Sequence, residues 1–370
     1  MAFFKETKSN SFSSRLLNNI YSLLNYYEKC QYKGADAYFH SEIAHPMAEG
    51  KYLLSLNELN YCGLLSKNIF RTKVIKSIQR LEKIRLKNKG QNYLWGLSFK
   101  WNDFSAEEPF LITNCVIVDG LLSIVEKNDI PEVNAFADKC ILSMDKYMRN
   151  NSDIYGLPLY SPNINETIFN PAIYAYSLMY RAHKIKLIKK LPNKFKSSVR
   201  LIKSNFIEGV GWPYGPTNNV IDLLHQSYII NAFIKLDSPA KEIEKYMYSC
   251  LHTFKNTILN DKAIIDSQIE TLDFLTKKSP YIIKEAKNAK VIVYPNKARL
   301  WSMGEIVLCL SNLIQNSKNY KKWEPIMKRI VAEILDDNDL KKDISMTYPR
   351  QYLHLVHGLT SCISTLRMIK

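Results

Sequence analysis

Three side chains able to move protons stand close together in this chain: Tyr214, Asp222 and His225. Tyr214 lies in the loop Gly209–Gly215, of sequence GVGWPYG, where glycines and a proline favour sharp turns. The apolar pattern that follows predicts a helix over 220–236. Asp222, His225 and Gln226 then fall at i, i+3 and i+4 on one face of it. Abstraction of a proton beside a carboxylate, as at C5 of a uronic acid, needs a base, an acid and a group that neutralises the carboxylate. His225 suits the base with Asp222 beside it, Tyr214 the acid, and the Asn170 amide the carboxylate. Hydrolysis of a glycosidic bond would instead use two carboxylates across the scissile bond. Asp222 and Glu305 are the first pair for that chemistry, with Glu166 and Asp103 as further candidates. A structural alternative stays open, in which Asp222 caps the helix, His225 is hydrogen-bonded in the interior and Tyr214 only stacks.

Flat aromatic surfaces accompany these residues. Trp95, Trp101, Tyr160, Trp212, Tyr214 and Trp301 lie in or beside loops that precede apolar helices, and four of the five tryptophans are found there. Rings in such places can stack on the C–H faces of sugars while their polar tips stay wet. Lys100, Arg299 and Arg350 sit near the same loops and suit carboxylate or phosphate groups through charge-assisted hydrogen bonds.

The elements that must hold these groups recur along the chain. Gly156–Tyr160 precedes a helix through Thr167–Tyr174, Trp95–Trp101 precedes one through Pro109–Cys115, Tyr294–Lys297 precedes Arg299–Glu305, and Tyr348–Arg350 opens a last one running through His354 and His357. The helices after these loops are apolar nearly all round, so they require burial on every side. The alternating helices are amphipathic: 13–29, 69–87, 131–148, 197–206, 240–259, 271–276 and 323–335 carry apolar residues at helical spacing with charges between. Basic residues in Arg71–Leu81 and Lys184–Lys190 occupy the outward face of such helices. Val291–Tyr294 is the one short β-like run and reads as an edge hairpin. This pattern predicts an all-α fold, an (α/α)6-type toroid of about six helical hairpins, forming one domain over residues 1–370 with the loop–helix junctions around a central cleft.

Composition narrows the partners. The 370 residues carry 51 Lys and Arg against 35 Asp and Glu, a formal net charge of +16, which favours anionic partners or reflects a solvated lysine-rich surface. The lysines are dispersed rather than set in a basic stripe with stacking aromatics, so no nucleic-acid partner is expected. Phosphate-binding glycine loops of the P-loop or Rossmann type are absent, and no cofactor is expected. Seven scattered cysteines without a CxxC spacing fit a reducing compartment and predict no structural zinc. His354 and His357, at i and i+3, have a metal-compatible spacing but no evident third ligand, and no metal is expected. No stretch approaches the roughly 20 apolar residues of a membrane span, so the expectation is a cytoplasmic protein, with peripheral contact to an inner membrane or an assembly complex left open.

The order Trp95–Trp101, then Gly156–Tyr160 with Asn170 and Tyr174, then Gly211–Gly215 with Asp222 and His225, resembles the α/α-toroid proteins encoded in bacterial capsule, O-antigen and exopolysaccharide clusters. It resembles toroid polysaccharide lyases and glycoside hydrolases more distantly. The similarity spans residues from about Tyr32 to Lys370. It implies a role in surface-polysaccharide biosynthesis on an anionic glycan or its lipid-linked precursor, by uronate proton abstraction (lyase or epimerase) or glycoside hydrolysis. A non-catalytic glycan-binding or scaffold protein of an assembly complex is the alternative. Toroid lyases in general resemble the Asn170, His225 and Tyr214 arrangement.

Overall fold

A computed structural model describes residues 11–33, 45–86, 92–97, 105, 108–258, 290–291, 300–317, 320–336 and 349–369. The described residues form twelve helices. These are α1 (Phe12–Lys33), α2 (Pro46–Tyr61), α3 (Lys67–Lys83), α4 (Leu111–Val125), α5 (Pro131–Asn150), α6 (Phe169–Lys184), α7 (Phe195–Ser204), α8 (Leu223–Lys235), α9 (Ala240–Ile258), α10 (Leu300–Asn316), α11 (Tyr320–Asp336) and α12 (Pro349–Met368). Even-numbered helices pack side by side in the order α2, α4, α6, α8, α10 and α12, and α12 closes the ring on α2. The odd-numbered helices lie outside, α3 against α2, α5 against α4, α7 against α6, α9 between α8 and α10, and α11 and α1 against α10 and α12. The fold is an all-α toroid, as the alternation of apolar and amphipathic helices predicts.

Burial follows the same division. In α4 nearly every residue from Leu111 to Ile124 is buried, because both faces of an inner helix meet protein. Outer helices such as α7 and α5 bury one stripe and expose their charges. Two inner-helix contacts depend on the absence of a side chain. A Cβ on Gly304 of α10 would lie 2.2 Å from the His354 carbonyl oxygen of α12, and one on Gly358 equally close to the Gly304 carbonyl. Gly50 and Gly120 make the corresponding approach between α2 and α4, where a Cβ on Gly120 would meet the Gly50 carbonyl at 2.8 Å.

Several boundaries differ from the sequence reading. The helix predicted from Val220 starts at Leu223, since Asp222 has extended backbone and caps it, while Val220–Ile221 forms a strand, β1. β1 pairs in parallel with Lys290–Val291, β2, and the rest of the β-like run, 292–294, lies outside the described residues. α6 ends at Lys184, and Lys186 takes a left-handed backbone with φ 64°, so Lys184–Lys190 does not continue as an amphipathic helix. The inner helix α2 was not read as one of the loop-preceded apolar helices, because Glu49, Lys51 and Asn57 interrupt its apolar pattern. All three are buried. Glu49 takes Arg80, Ser77 and Tyr27, Asn57 donates to the Ser123 carbonyl at 2.9 Å, and Lys51 pairs with Glu305 of α10. The predicted helix 271–276 lies outside the described residues.

Candidate active site

The inner helices run parallel, and the first turns of all six open onto one cavity of about 420 Å³. Met47 of α2, Ile112 of α4, Asn170 of α6, His225 of α8, Trp301 of α10 and Arg350 of α12 each reach it. Six positive helix ends around one cavity favour a negatively charged occupant.

Asp222 anchors one corner of the cavity. Its Oδ1 accepts from the backbone N–H of Leu224 at 2.9 Å and of His225 at 3.4 Å, and it lies 3.0 Å from the His225 imidazole Nδ1. One carboxylate therefore both starts α8 and orients the imidazole. Because a carboxylate only accepts, the contact places the ring proton on Nδ1 and makes Nε2 the proton-accepting nitrogen. Tyr214 packs its ring on His225 with centroids 3.9 Å apart, at 52°. Tyr214, Asp222 and His225 all line the cavity. Asn170 joins them from α6. It is buried, and its Oδ1 has no hydrogen-bond partner among the described residues.

Opposite charge and flat surfaces border the same space. Arg350 places its guanidinium 5.3 Å from the centre of the Trp301 ring. Tyr160 packs on Phe110, and burial pushes its hydroxyl up to about 12 against the opposing pull of Arg350. His45, before α2, is pulled down to about 3, mainly by burial and further by Arg350. Arg350 and Asp222 are the charged residues that line the cavity among the described residues.

Other sequence candidates lie elsewhere. Trp95 and Trp212 are core residues, 0% and 1% exposed, and do not line the cavity. The Trp95 indole N–H donates to the Leu81 carbonyl at 2.9 Å, and that of Trp212 to the Ile202 carbonyl at 2.8 Å. Their place is to join loop to outer helix, which leaves no ring face for a sugar. Glu305 is also away from the cavity lining, 1% exposed in an ion pair with Lys51, and it accepts from Asn231 at 3.3 Å. It does not face Asp222 across the cavity. Glu166 offers its backbone carbonyl to the Tyr160 N–H at 3.1 Å, and its side chain does not line the cavity. Trp101, Lys100, Arg299 and Asp103 lie outside the described residues.

His354 and His357 are both interior. The His354 Nδ1 faces the Arg350 carbonyl and its Nε2 the Tyr228 hydroxyl. Burial, with Lys51 nearby, holds both imidazoles well below the usual range. Among the described residues no group of three or more His, Cys, Asp or Glu side chains could hold a metal ion. Met47, Leu97, Ile112, Ile168, Leu224, Tyr228 and Gln351 line the cavity without having been singled out from sequence. Tyr228 carried a signal, since it lies one helical turn beyond His225.

The chain is similar to a solved structure described as a novel alpha-amylase from Clostridium perfringens, with 12% identity and a TM-score of 0.55 over 87% of this chain and 88% of that one. That likeness shows the toroid fold. A mutant of a reducing-end-xylose releasing exo-oligoxylanase, complexed with xylobiose, matches 88% of this chain and 83% of its own at 10% identity and a TM-score of 0.41. No protein-family model and no curated protein matches the sequence. No helix among the described residues is long and apolar enough to cross a membrane.

Proposed function

We propose that this protein is an enzyme that abstracts the C5 proton of a uronic acid residue in an anionic glycan or its lipid-linked precursor, as a lyase or an epimerase. The observation that carries this is the Asp222–His225–Tyr214 cluster on a cavity ringed by helix N-termini. His225 Nε2 takes the C5 proton, and the electron pair passes into the C5–C6 bond of the carboxyl group. Arg350 and the Asn170 amide stabilise the charge that collects on the carboxyl oxygens. In elimination the pair then forms the C4–C5 double bond, the C4–O bond breaks, and Tyr214 protonates the leaving oxygen. In epimerisation Tyr214 returns a proton to C5 from the opposite face.

A role in bacterial surface-polysaccharide biosynthesis follows from the resemblance of the motifs, and with it a cytoplasmic location and contact with an inner-membrane assembly. Hydrolysis is the second reading, favoured by the toroid neighbour described as an alpha-amylase. It would use Asp222, the carboxylate that lines the cavity among the described residues, with a partner other than Glu305. Non-catalytic binding is the third.

Incubation of the purified protein with anionic bacterial glycans in deuterated water, read by mass spectrometry with His225→Ala as control, separates these. Fragments lighter by water mean elimination, deuterium gained without cleavage means epimerisation, and water-added fragments mean hydrolysis. Glycans that bind but remain unchanged would leave the protein a binding module.

A further inference from the structure

We infer that Tyr228 is a specificity-determining residue of this cavity, fixed by His354 so that its hydroxyl oxygen accepts a hydrogen bond from a sugar hydroxyl and has no proton to give. This rests on the cavity being a saccharide site, as proposed above. The argument starts at a backbone carbonyl. The Arg350 carbonyl only accepts, so the His354 Nδ1 beside it must carry the imidazole proton. Burial keeps that ring neutral, which leaves a bare lone pair on Nε2. Tyr228 is the partner of that lone pair, so the phenol proton points at His354. His354 is fully buried and meets the Trp301 ring edge-on with centroids 6.1 Å apart, so both bonds are held by packing.

Tyr228 borders the cavity one turn beyond His225, and its remaining lone pairs are all it can offer there. A hydroxyl or an amide N–H satisfies them. A carboxylate, sulfate or ether oxygen brings only more lone pairs and is rejected. The occupant is thereby oriented, with its carboxylate toward Arg350 and Asn170 and a hydroxyl toward Tyr228. His354 acts through Tyr228 as a positioning residue.

The test uses calorimetric binding of di-uronides of galacturonic, glucuronic and mannuronic acid, together with their mono-O-methyl ethers. Wild type should bind a parent di-uronide about tenfold more tightly than the ether that blocks the hydroxyl read by Tyr228, the size of one hydrogen bond. Tyr228→Phe should bind the two alike. His354→Leu frees the phenol proton to donate to the ether oxygen and should narrow or reverse the preference, and His354→Gln, which supplies an acceptor, should restore it. A merely structural role for His354 would weaken all ligands by one factor, and that result overturns the assignment. Wild-type binding that Tyr228→Phe leaves unchanged, with the same preference, overturns the assignment alone. Failure of wild type to bind any di-uronide overturns the saccharide reading and the assignment with it. Nitrogen-15 NMR of the wild-type histidines gives a ligand-free check should a variant not fold: the proton of His354 is expected on Nδ1, and a proton on Nε2 would refute the inference.

Discussion

The starts of α4 and α8 are built alike and equipped differently. Four residues after the N-cap of each helix stands an amide side chain, Asn114 after Phe110 and Gln226 after Asp222. Each amide brackets the backbone of a tryptophan in the preceding loop. Asn114 accepts from the Trp95 N–H at 2.9 Å and donates to its carbonyl at 3.0 Å, while Gln226 makes the same two bonds to Trp212 at 2.7 Å each. Each tryptophan then fastens its indole N–H to an outer-helix carbonyl, Leu81 or Ile202. The loop of α8 is shorter, and Gly211 passes so close to Gln226 that a Cβ there would lie 2.2 Å from the amide oxygen. At the equivalent of Asp222 and His225, α4 has Phe110 and Thr113, the latter buried with its hydroxyl unpartnered among the described residues. The shared parts are scaffold, and the parts that differ are able to carry a proton.

That contrast is most sharply broken at His225. His225→Ala is expected to lower turnover by about 10²- to 10⁴-fold, the range for removing a general base, with an unchanged melting temperature. Thr113→Ala should leave turnover intact, and equal losses from the two variants would mean the two helix starts do not differ in kind. Next in size are the amides. Gln226→Ala and Asn114→Ala each orphan a buried N–H and carbonyl, and each should lower stability by about 2–4 kcal/mol in urea titrations. Only the Gln226 variant should also depress turnover, since its loop carries Tyr214.

Asp222→Asn separates the cap from the chemistry. Asparagine caps about as well as aspartate, so stability should hold within about 0.5 kcal/mol. The negative charge that supports a protonated His225 is gone, and turnover should fall by about tenfold or more. A full loss of stability with retained specific activity would assign Asp222 to folding alone. The smallest effects belong to Trp95→Phe and Trp212→Phe, each expected to cost about 1 kcal/mol of stability for one lost hydrogen bond and to leave di-uronide affinity unchanged. Weakened affinity in either would return these rings to the binding surface.

The repeated loop–helix grammar was legible because inner helices need apolar residues all round, whereas outer ones need a stripe. α2 escaped notice because its polar residues are satisfied by partners distant in sequence. Glu49 meets Arg80 and Lys51 meets Glu305, and no local pattern reports such pairing. The grouping of Asp222, His225 and Tyr214 at the cavity was legible as well, since Asp222 and His225 stand three residues apart and Tyr214 lies in the adjoining loop. What spacing did not reveal is which aromatic rings face inward. Trp95 and Trp212 sit in loops of binding-site composition, yet their indoles are drawn under by carbonyls of the outer helices. Met47 and Ile112 reach the cavity because six parallel helices converge, a property of the closed ring rather than of any one segment.

The central claim is that His225, held by Asp222, takes a proton from carbon. Proton NMR of di-uronides in deuterated water, with wild type and His225→Ala side by side, tests it most directly. The account predicts loss of the C5 proton signal, with or without cleavage, by wild type only. A C5 signal that persists while wild type cleaves the glycosidic bond would contradict it and favour hydrolysis.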